Sequence, residues 1–165
     1  GSSIGINIAK DQASTNNCIK QALQYDKQVL VEDYLVGEEF TVPIVEYNDK
    51  TISLPVIQIK SKRDFFDYQS KYDPDLVEEI CPAPINQTLA RELQGFALQV
   101  HKLLGARHLS RSDFIVSKNK VYFLEINTIP GMTKESLLPK AIQAANLDFT
   151  DLLDQWIKSS IKPLK

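Results

Sequence analysis

The chain has 165 residues, 43% of them hydrophobic, and a net charge of −2 with both signs dispersed along it. That length suits a single domain and that apolar content suits a packed core, which excludes a disordered chain. The charge balance supplies no sequence-independent attraction to DNA, RNA or an anionic membrane, so neither nucleic acid nor a membrane is an expected partner.

The chain opens on Gly1-Ser2-Ser3-Ile4-Gly5, a small polar loop feeding an alternating strand through Ile8. Gly and Ser let the backbone approach an anion and supply N–H and O–H donors, which suits phosphate; an expression scar is the other reading, and both stand. Ser14 to Tyr25 places Cys18, Ile19, Ala22 and Leu23 on one helical face, with Ser14 or Thr15 as N-cap. Val29 to Leu35 reads as a buried strand ending in Val36-Gly37-Glu38-Glu39, and Phe40 to Glu46 begins another. Taken alone, Glu32 and Glu39 are solvated strand-end charges. Asn48-Asp49-Lys50 is a hairpin turn and Thr51 to Ser61 the return strand, in which Pro55 marks an edge or a bulge because it has no N–H to donate. Residues 60–74 are polar and aromatic without a period, a long loop that serves either as a lid or as plain surface.

Asn86 to Leu104 is the clearest helix, with Leu89, Leu93, Phe96, Ala97, Val100, Leu103 and Leu104 as its stripe and Gly105 as its stop. His101, a lone histidine on this helix, reads as structural and not as a ligand or a base, and His108 shows no partner; neither takes a role. Two runs, LSRSDFIV and VYFLEINT, then flank Ser117-Lys118-Asn119-Lys120 as a β-hairpin. With the loop centred on Asn119, Asp113 falls opposite Glu125 and Arg111 opposite Asn127, all on one face. Phe114, Val116, Tyr122, Leu124 and Ile126 fall on the other. Facing carboxylates repel unless a hard divalent cation lies between them, so Asp113, Glu125 and Asn127 read as a magnesium and phosphate site. The alternative is solvated strand residues paired with Arg111 and nearby lysines. With no cation bound, removing one carboxylate charge is expected to be neutral or stabilising.

Asn127 to Thr133 leaves the strand through Pro130 and Gly131, where backbone N–H groups suit an oxyanion. Ser136 to Asn146 and Thr150 to Ile161 read as two closing helices, with Trp156 in the core. Cys18 and Cys81 are far apart without CxxC spacing and read as reduced packing residues. No stretch has the apolar length of a transmembrane helix and the start lacks a signal pattern, which points to the cytoplasm.

The strings SRSDFIV, FLEINTIPGMT and KESLLP together closely resemble the C-terminal signature of the D-alanine:D-alanine ligases of the ATP-grasp superfamily. The resemblance spans nearly the whole chain and implies an α+β ATP-grasp fold, an antiparallel sheet with packed helices. It assigns residues 1–31 to the end of the smaller, clamping lobe and 32–165 to the larger lobe. It implies a ligase using ATP and Mg²⁺ to join two D-alanines for peptidoglycan synthesis, inactive in this stretch alone, and it leaves room for a homodimer of the longer protein. In this family Ser2 and Ser3 would lie on the ATP phosphates with Lys71, and Tyr72 would cover the second substrate. Glu32 would face the adenine amino group, the backbone through Tyr34 and Leu35 would follow the adenine edge, and Glu39 would bind the ribose. Asp113, Glu125 and Asn127 would hold the metal, Arg111 and the Gly131 N–H the oxyanion, and Ser136 and Leu137 the second substrate's carboxylate. Asp33 and Tyr34 depart from the basic residue and tryptophan of many relatives, a mild change where contacts run through the backbone. Other ATP-grasp ligases and a non-catalytic nucleotide-binding piece are the alternatives.

Overall fold

Strand β1 (Glu38–Tyr47) is the axis of the sheet, buried along most of its length on both faces. This is a computed structural model, and it describes residues 5–61 and 77–161. Compactness divides these residues into two units, one holding the chain up to Val36 and the other residues 37–60 with 78–161.

In the first unit, helix α1 (Gln12–Ala22) is capped by Asp11, whose Oδ1 accepts from the Ser14 N–H at 2.7 Å while Ser14 Oγ accepts from the Asp11 N–H at 3.0 Å. This reciprocal box starts the helix earlier than Ser14 or Thr15 as N-cap would. Cys18, Ile19 and Ala22 are only half-buried and Leu23 is exposed. Two expected strands do not form. Residues 6–10 and 29–35 have no ladder among the described residues, and Leu30, Val31 and Tyr34 are largely exposed. An apolar run becomes a strand only when a neighbour accepts its backbone hydrogen bonds, which local pattern cannot reveal.

The second unit is a sheet ordered β4-β3-β1-β5-β6, with β2 also on β1, formed by β1, β2 (Lys50–Ser53), β3 (Ile57–Ser61), β4 (Val77–Ile80), β5 (Leu109–Ser117) and β6 (Lys120–Asn127). The pairs of β1 with β2, β3 and β5, and of β5 with β6, are antiparallel. Asn48 and Asp49 turn the first hairpin with φ of 50° and 59°, the geometry of a type I′ turn. The single expected return strand is two strands. It leaves the ladder at residues 54–56, opposite Val42 and Pro43, where prolines at 43 and 55 each withhold a donor. Strand β4 was not expected, its four residues being too short to show an alternation.

Helix α2 (Gln87–Leu103) begins at Asn86, whose Oδ1 accepts from the Leu89 N–H at 2.9 Å. It ends in a Schellman motif, with Gly105 at φ 60°, its N–H bonded to Lys102 O and that of Ala106 to His101 O. Leu93 and Ala97 pack with Phe40, Val42, Ile44, Val56 and Phe114 on one face of the sheet. Phe96, Leu103 and Leu104 of the expected stripe are exposed, since the buried line follows 93, 97 and 101. Helices α3 (Leu137–Ala144) and α4 (Phe149–Ile161) close the opposite face, where Leu138, Ala141, Ile142, Leu152 and Trp156 pack on Val45, Leu54 and Ile57. Trp156 Nε1 also donates to Glu46 O at 2.7 Å, fastening α4 to β1.

Candidate functional site

The chemistry-bearing hairpin is β5–β6. Its register pairs Arg111 with Asn127 and Asp113 with Glu125, as the sequence predicts. The register then slips between Asp113 and Phe114, so that Phe114 meets Phe123, Ile115 meets Tyr122, and the turn shortens to Lys118-Asn119 with φ of 49° and 61°. Leu124 is the extra residue of a β-bulge. The bulge lets a type I′ turn close one end while the other keeps four polar side chains on one face. Beyond it the faces exchange. Val121 and Phe123, not Tyr122, join Phe114 and Val116, with the Phe114 and Phe123 rings edge to face at 5.8 Å, and Leu124 is 45% exposed.

Asp113 is the buried member of the cluster and Glu125 the exposed one. Arg111 holds Asp113 in a bidentate fork, Nε to Oδ1 at 3.0 Å and Nη2 to Oδ2 at 3.0 Å, with only 18% and 12% of the two side chains exposed. Burial opposes the guanidinium charge, but the hydrogen bonds and charge of Asp113, then the charges of Glu125 and Glu79, outweigh it and raise the pKa of Arg111. The sequence reading left two partners open for the carboxylate pair. Arg111 neutralises part of that charge.

Asn127 Oδ1 accepts from the Ile129 N–H at 3.1 Å and so fixes the exit of β6. The chain then passes buried Pro130 to Gly131, where an added Cβ would stand 2.6 Å from Ser136 Oγ. That hydroxyl accepts from the Thr133 N–H at 3.2 Å and lies 2.9 Å from Thr133 Oγ1. Ser136 is the N-cap residue of α3 yet makes no side-chain cap bond, because its Oγ is turned to Thr133. The Pro130-Gly131-Met132-Thr133 turn, Ser136 and Leu137 are thus one folded unit at the end of β6.

Glu39 lies on β1 opposite Ile115 and Ile59 and is half-buried. Glu32, Tyr34 and Leu35 lie in the first unit, in a segment without regular secondary structure, with Glu32 and Tyr34 exposed and Leu35 half-buried. Ser2, Ser3, Lys71 and Tyr72, with the 62–74 part of the long loop, lie outside the described residues.

Two residues near the cluster, Thr41 and Glu79, escaped the sequence reading, as did the partners of His108 and His101. Thr41, fully buried on β1, is the cross-strand partner of Asp113 and donates its Oγ1 to Asp113 Oδ1. It stands two residues after Glu39 on one strand face, a signal visible only once β1 is paired with β5. Glu79 on β4 adds negative charge near Arg111 and binds Lys140 of α3 at 2.7 Å. His108, expected to lack partners, sits at φ 64° with Nδ1 3.1 Å from Glu46 Oε2 and Nε2 3.0 Å from Ser160 Oγ. His101 is buried against Ser110 Oγ at 2.7 Å. Among the described residues no group of three His, Cys, Asp or Glu side chains could enclose a metal.

A sheet carrying this hairpin, with helices on both faces, defines the chain as α+β of the ATP-grasp fold. The chain belongs to the D-ala D-ala ligase C-terminus family, whose model matches residues 1–158. It is 42% identical over 163 residues to a D-alanine--D-alanine ligase of Clostridium beijerinckii, covering 98% of this chain and 52% of that protein. The crystal structure of the VanG D-Ala:D-Ser ligase from Enterococcus faecalis matches with a TM-score of 0.82 and 31% identity, over 96% of this chain and 46% of that one. The D-alanine--D-alanine ligase of Bacillus anthracis complexed with ATP matches with a TM-score of 0.76 and 32% identity, over 94% of this chain and 50% of that one. The chain therefore spans about half the length of the relatives it matches.

Proposed function

We propose that the protein containing this chain is an ATP-dependent ligase that joins two D-alanines through an acyl phosphate, for peptidoglycan synthesis. Membership of the ligase family supports the reaction class, and the likeness to a ligase complexed with ATP supports the nucleotide. The observation that carries the reading is the register of β5 on β6, which aligns Arg111, Asp113, Glu125 and Asn127 on one sheet face beside the Gly131 turn.

The donor set fits Mg²⁺. Asp113, Glu125 and Asn127 offer hard oxygens, and the bonds of Asp113 Oδ2 to Arg111 and of Asn127 Oδ1 to Ile129 each leave a lone pair over. Bound there with ATP, the ion would neutralise the triphosphate. The γ-phosphoryl group passes to a carboxylate oxygen of the first D-alanine as its bond to the β-phosphate oxygen breaks and ADP is released. The amine of the second attacks the resulting acyl phosphate, losing a proton, and phosphate leaves. Arg111 keeps three N–H donors after its fork to Asp113, and these with the Gly131 N–H would stabilise the tetrahedral oxyanion. Ser136 and Leu137, at the start of α3, would hold the second carboxylate where the helix dipole favours a negative charge.

Glu32, Tyr34, Leu35 and Glu39 would receive adenosine, Ser2, Ser3 and Lys71 the phosphates, and Tyr72 would cover the second substrate. Residues 1–31 would close the smaller lobe and 32–165 form the larger, a boundary set a few residues before the division of the compact units. We place the reaction in the cytoplasm, with free amino acids and ATP as partners; among the described residues no helix is long and apolar enough to cross a membrane. The test is D-alanine-dependent release of phosphate from ATP by the intact protein, with the dipeptide identified by mass spectrometry. Nucleotide hydrolysis indifferent to D-alanine would overturn the substrate assignment.

A further inference from the structure

Gly5 has φ 78°, in the left-handed region that favours glycine, and a Cβ added there would stand 2.8 Å from Cδ2, 3.3 Å from Cε2 and 3.5 Å from Cγ of Tyr25. These are three consecutive ring carbons, so the glycine meets the ring through carbon and not through its hydroxyl. Two independent constraints thus exclude a side chain at position 5. Residues 6–10 have no ladder among the described residues, so strand pairing does not hold Gly5 where it is. Tyr25 supplies a hold. Its N–H donates to Ala22 O at 3.0 Å and that of Leu23 to Ile19 O at 2.9 Å, which carries the last turn of α1 through to the ring. The other end of α1 is fixed by the Asp11 and Ser14 box. Tyr25 is 66% exposed, so core packing does not account for its place.

Resting on the reading that Ser2 and Ser3 lie on the ATP phosphates, we infer that Tyr25 is a positioning residue for that phosphate loop, its ring being the platform that anchors the loop at Gly5. A loop that takes a phosphate on backbone N–H and hydroxyl donors must be ordered when the nucleotide binds, and the ordering subtracts from affinity. An anchor at Gly5, next but one to Ser3 in the chain, removes part of that cost beforehand. A tyrosine ring suits the task because it is large, flat and turns about only two side-chain torsions. Since the contact runs through ring carbons, phenylalanine would make it equally well, whereas alanine has no surface to offer. Tyr25 is assigned no contact with ATP, so its effect passes through Gly5 and falls on the phosphates. Adenosine is assigned to other residues, Glu32, Tyr34, Leu35 and Glu39, and its binding does not draw on this anchor.

The test uses the intact protein and calorimetric titration with two probes, an ATP analogue that cannot be hydrolysed and adenosine, which has no phosphates. Tyr25→Ala should weaken binding of the analogue roughly threefold to tenfold, the range expected when a few groups must be ordered on binding, and leave adenosine at the parent affinity. Tyr25→Phe should keep the parent affinity for both. An unchanged affinity of Tyr25→Ala for the analogue would overturn the inference. So would equal losses for analogue and adenosine, which mark a ring that serves only the fold, and so would a loss in Tyr25→Phe as large as in Tyr25→Ala, which marks the hydroxyl. The double variant Ser2→Ala with Ser3→Ala is the control for the underlying reading. If it binds the analogue like the parent, the phosphate assignment is misplaced and the inference falls with it, whereas a loss there with none in Tyr25→Ala counts against Tyr25 alone.

Discussion

Arg111 grips Asp113 from two positions earlier on the same strand, engaging both oxygens of the carboxylate with one bond of 3.0 Å each. Side chains at i and i+2 of a strand share a face, so this contact follows from β5 itself and does not depend on β6. It changes the electrostatics expected from the sequence. Facing carboxylates at 113 and 125 seemed to repel without a cation, but the more buried of them already has a guanidinium, and Glu125 is left to the solvent.

The sign of one expectation therefore reverses. Asp113→Asn should destabilise the metal-free protein, because it removes an acceptor and the counter-charge of a largely buried Arg111. A loss of roughly 1 to 3 kcal/mol is expected, the usual penalty for leaving a hydrogen-bonding group without its buried partner. Denaturant unfolding in the presence of a chelator measures it, and a rise in the midpoint would show that repulsion from Glu125 dominates after all.

The hairpin was legible because its signals are local. Alternation sets the two faces, and at residues 111–113 and 125–127 the register agrees with a loop centred on Asn119. The bulge at Leu124 was not legible, since LSRSDFIV and VYFLEINT fit both the slipped and the continuous pairing. Nor was Thr41, whose relation to Asp113 exists only once β1 and β5 pair across more than seventy residues of chain. The segment 29–35 failed in the opposite direction, with a strand composition but no ladder among the described residues. Composition and periodicity report what a segment favours, and hydrogen-bond partners decide what it forms.

His101 makes stability depend on acidity. Burial lowers its pKa below the ordinary 6.5, with Glu46 opposing the shift and Lys102 adding to it. The unfolded chain then binds the proton more readily than the folded one, so stability should fall as pH drops below about 6.5 and be insensitive to this group above it. His101→Gln should reduce the slope of the urea midpoint with pH in that window. An unchanged slope would assign the acid sensitivity to other groups.

Gly131 and Ser136 should couple. A methyl group at 131 would stand 2.6 Å from Ser136 Oγ and 3.3 Å from Ser136 Cβ, so Gly131→Ala must displace a hydroxyl already bonded within the turn to Thr133. We expect a loss of about 1 kcal/mol in stability, the value of an ordinary hydrogen bond, and a rise in KM for the second amino acid. Ser136→Ala removes the same bonds and the oxygen that clashes. The double variant should be little worse than either single one, and additive losses in a double-mutant cycle would show that the two positions act separately.

Glu125 offers the cleanest separation of metal binding from folding. It faces Asp113 across the ladder but is exposed, so the folded chain does not depend on it as it does on Asp113. Glu125→Gln keeps the shape and a carbonyl oxygen while removing the charge, and an exposed substitution of this kind should move stability by no more than about 0.5 kcal/mol. Its effect on the cation should be much larger, because a neutral amide in place of a carboxylate leaves the triphosphate charge less well compensated; a loss of about tenfold or more in Mg²⁺-nucleotide affinity is expected, at least what removal of a ligand's outer partner costs. Asp113→Asn should lower both quantities and Glu125→Gln only the second. Calorimetric titration of Mg²⁺ with a non-hydrolysable nucleotide, run beside denaturant unfolding on the same two proteins, distinguishes them. If Glu125→Gln binds as tightly as the parent, the cation is held without the Glu125 carboxylate and the cross-strand pair belongs to the surface.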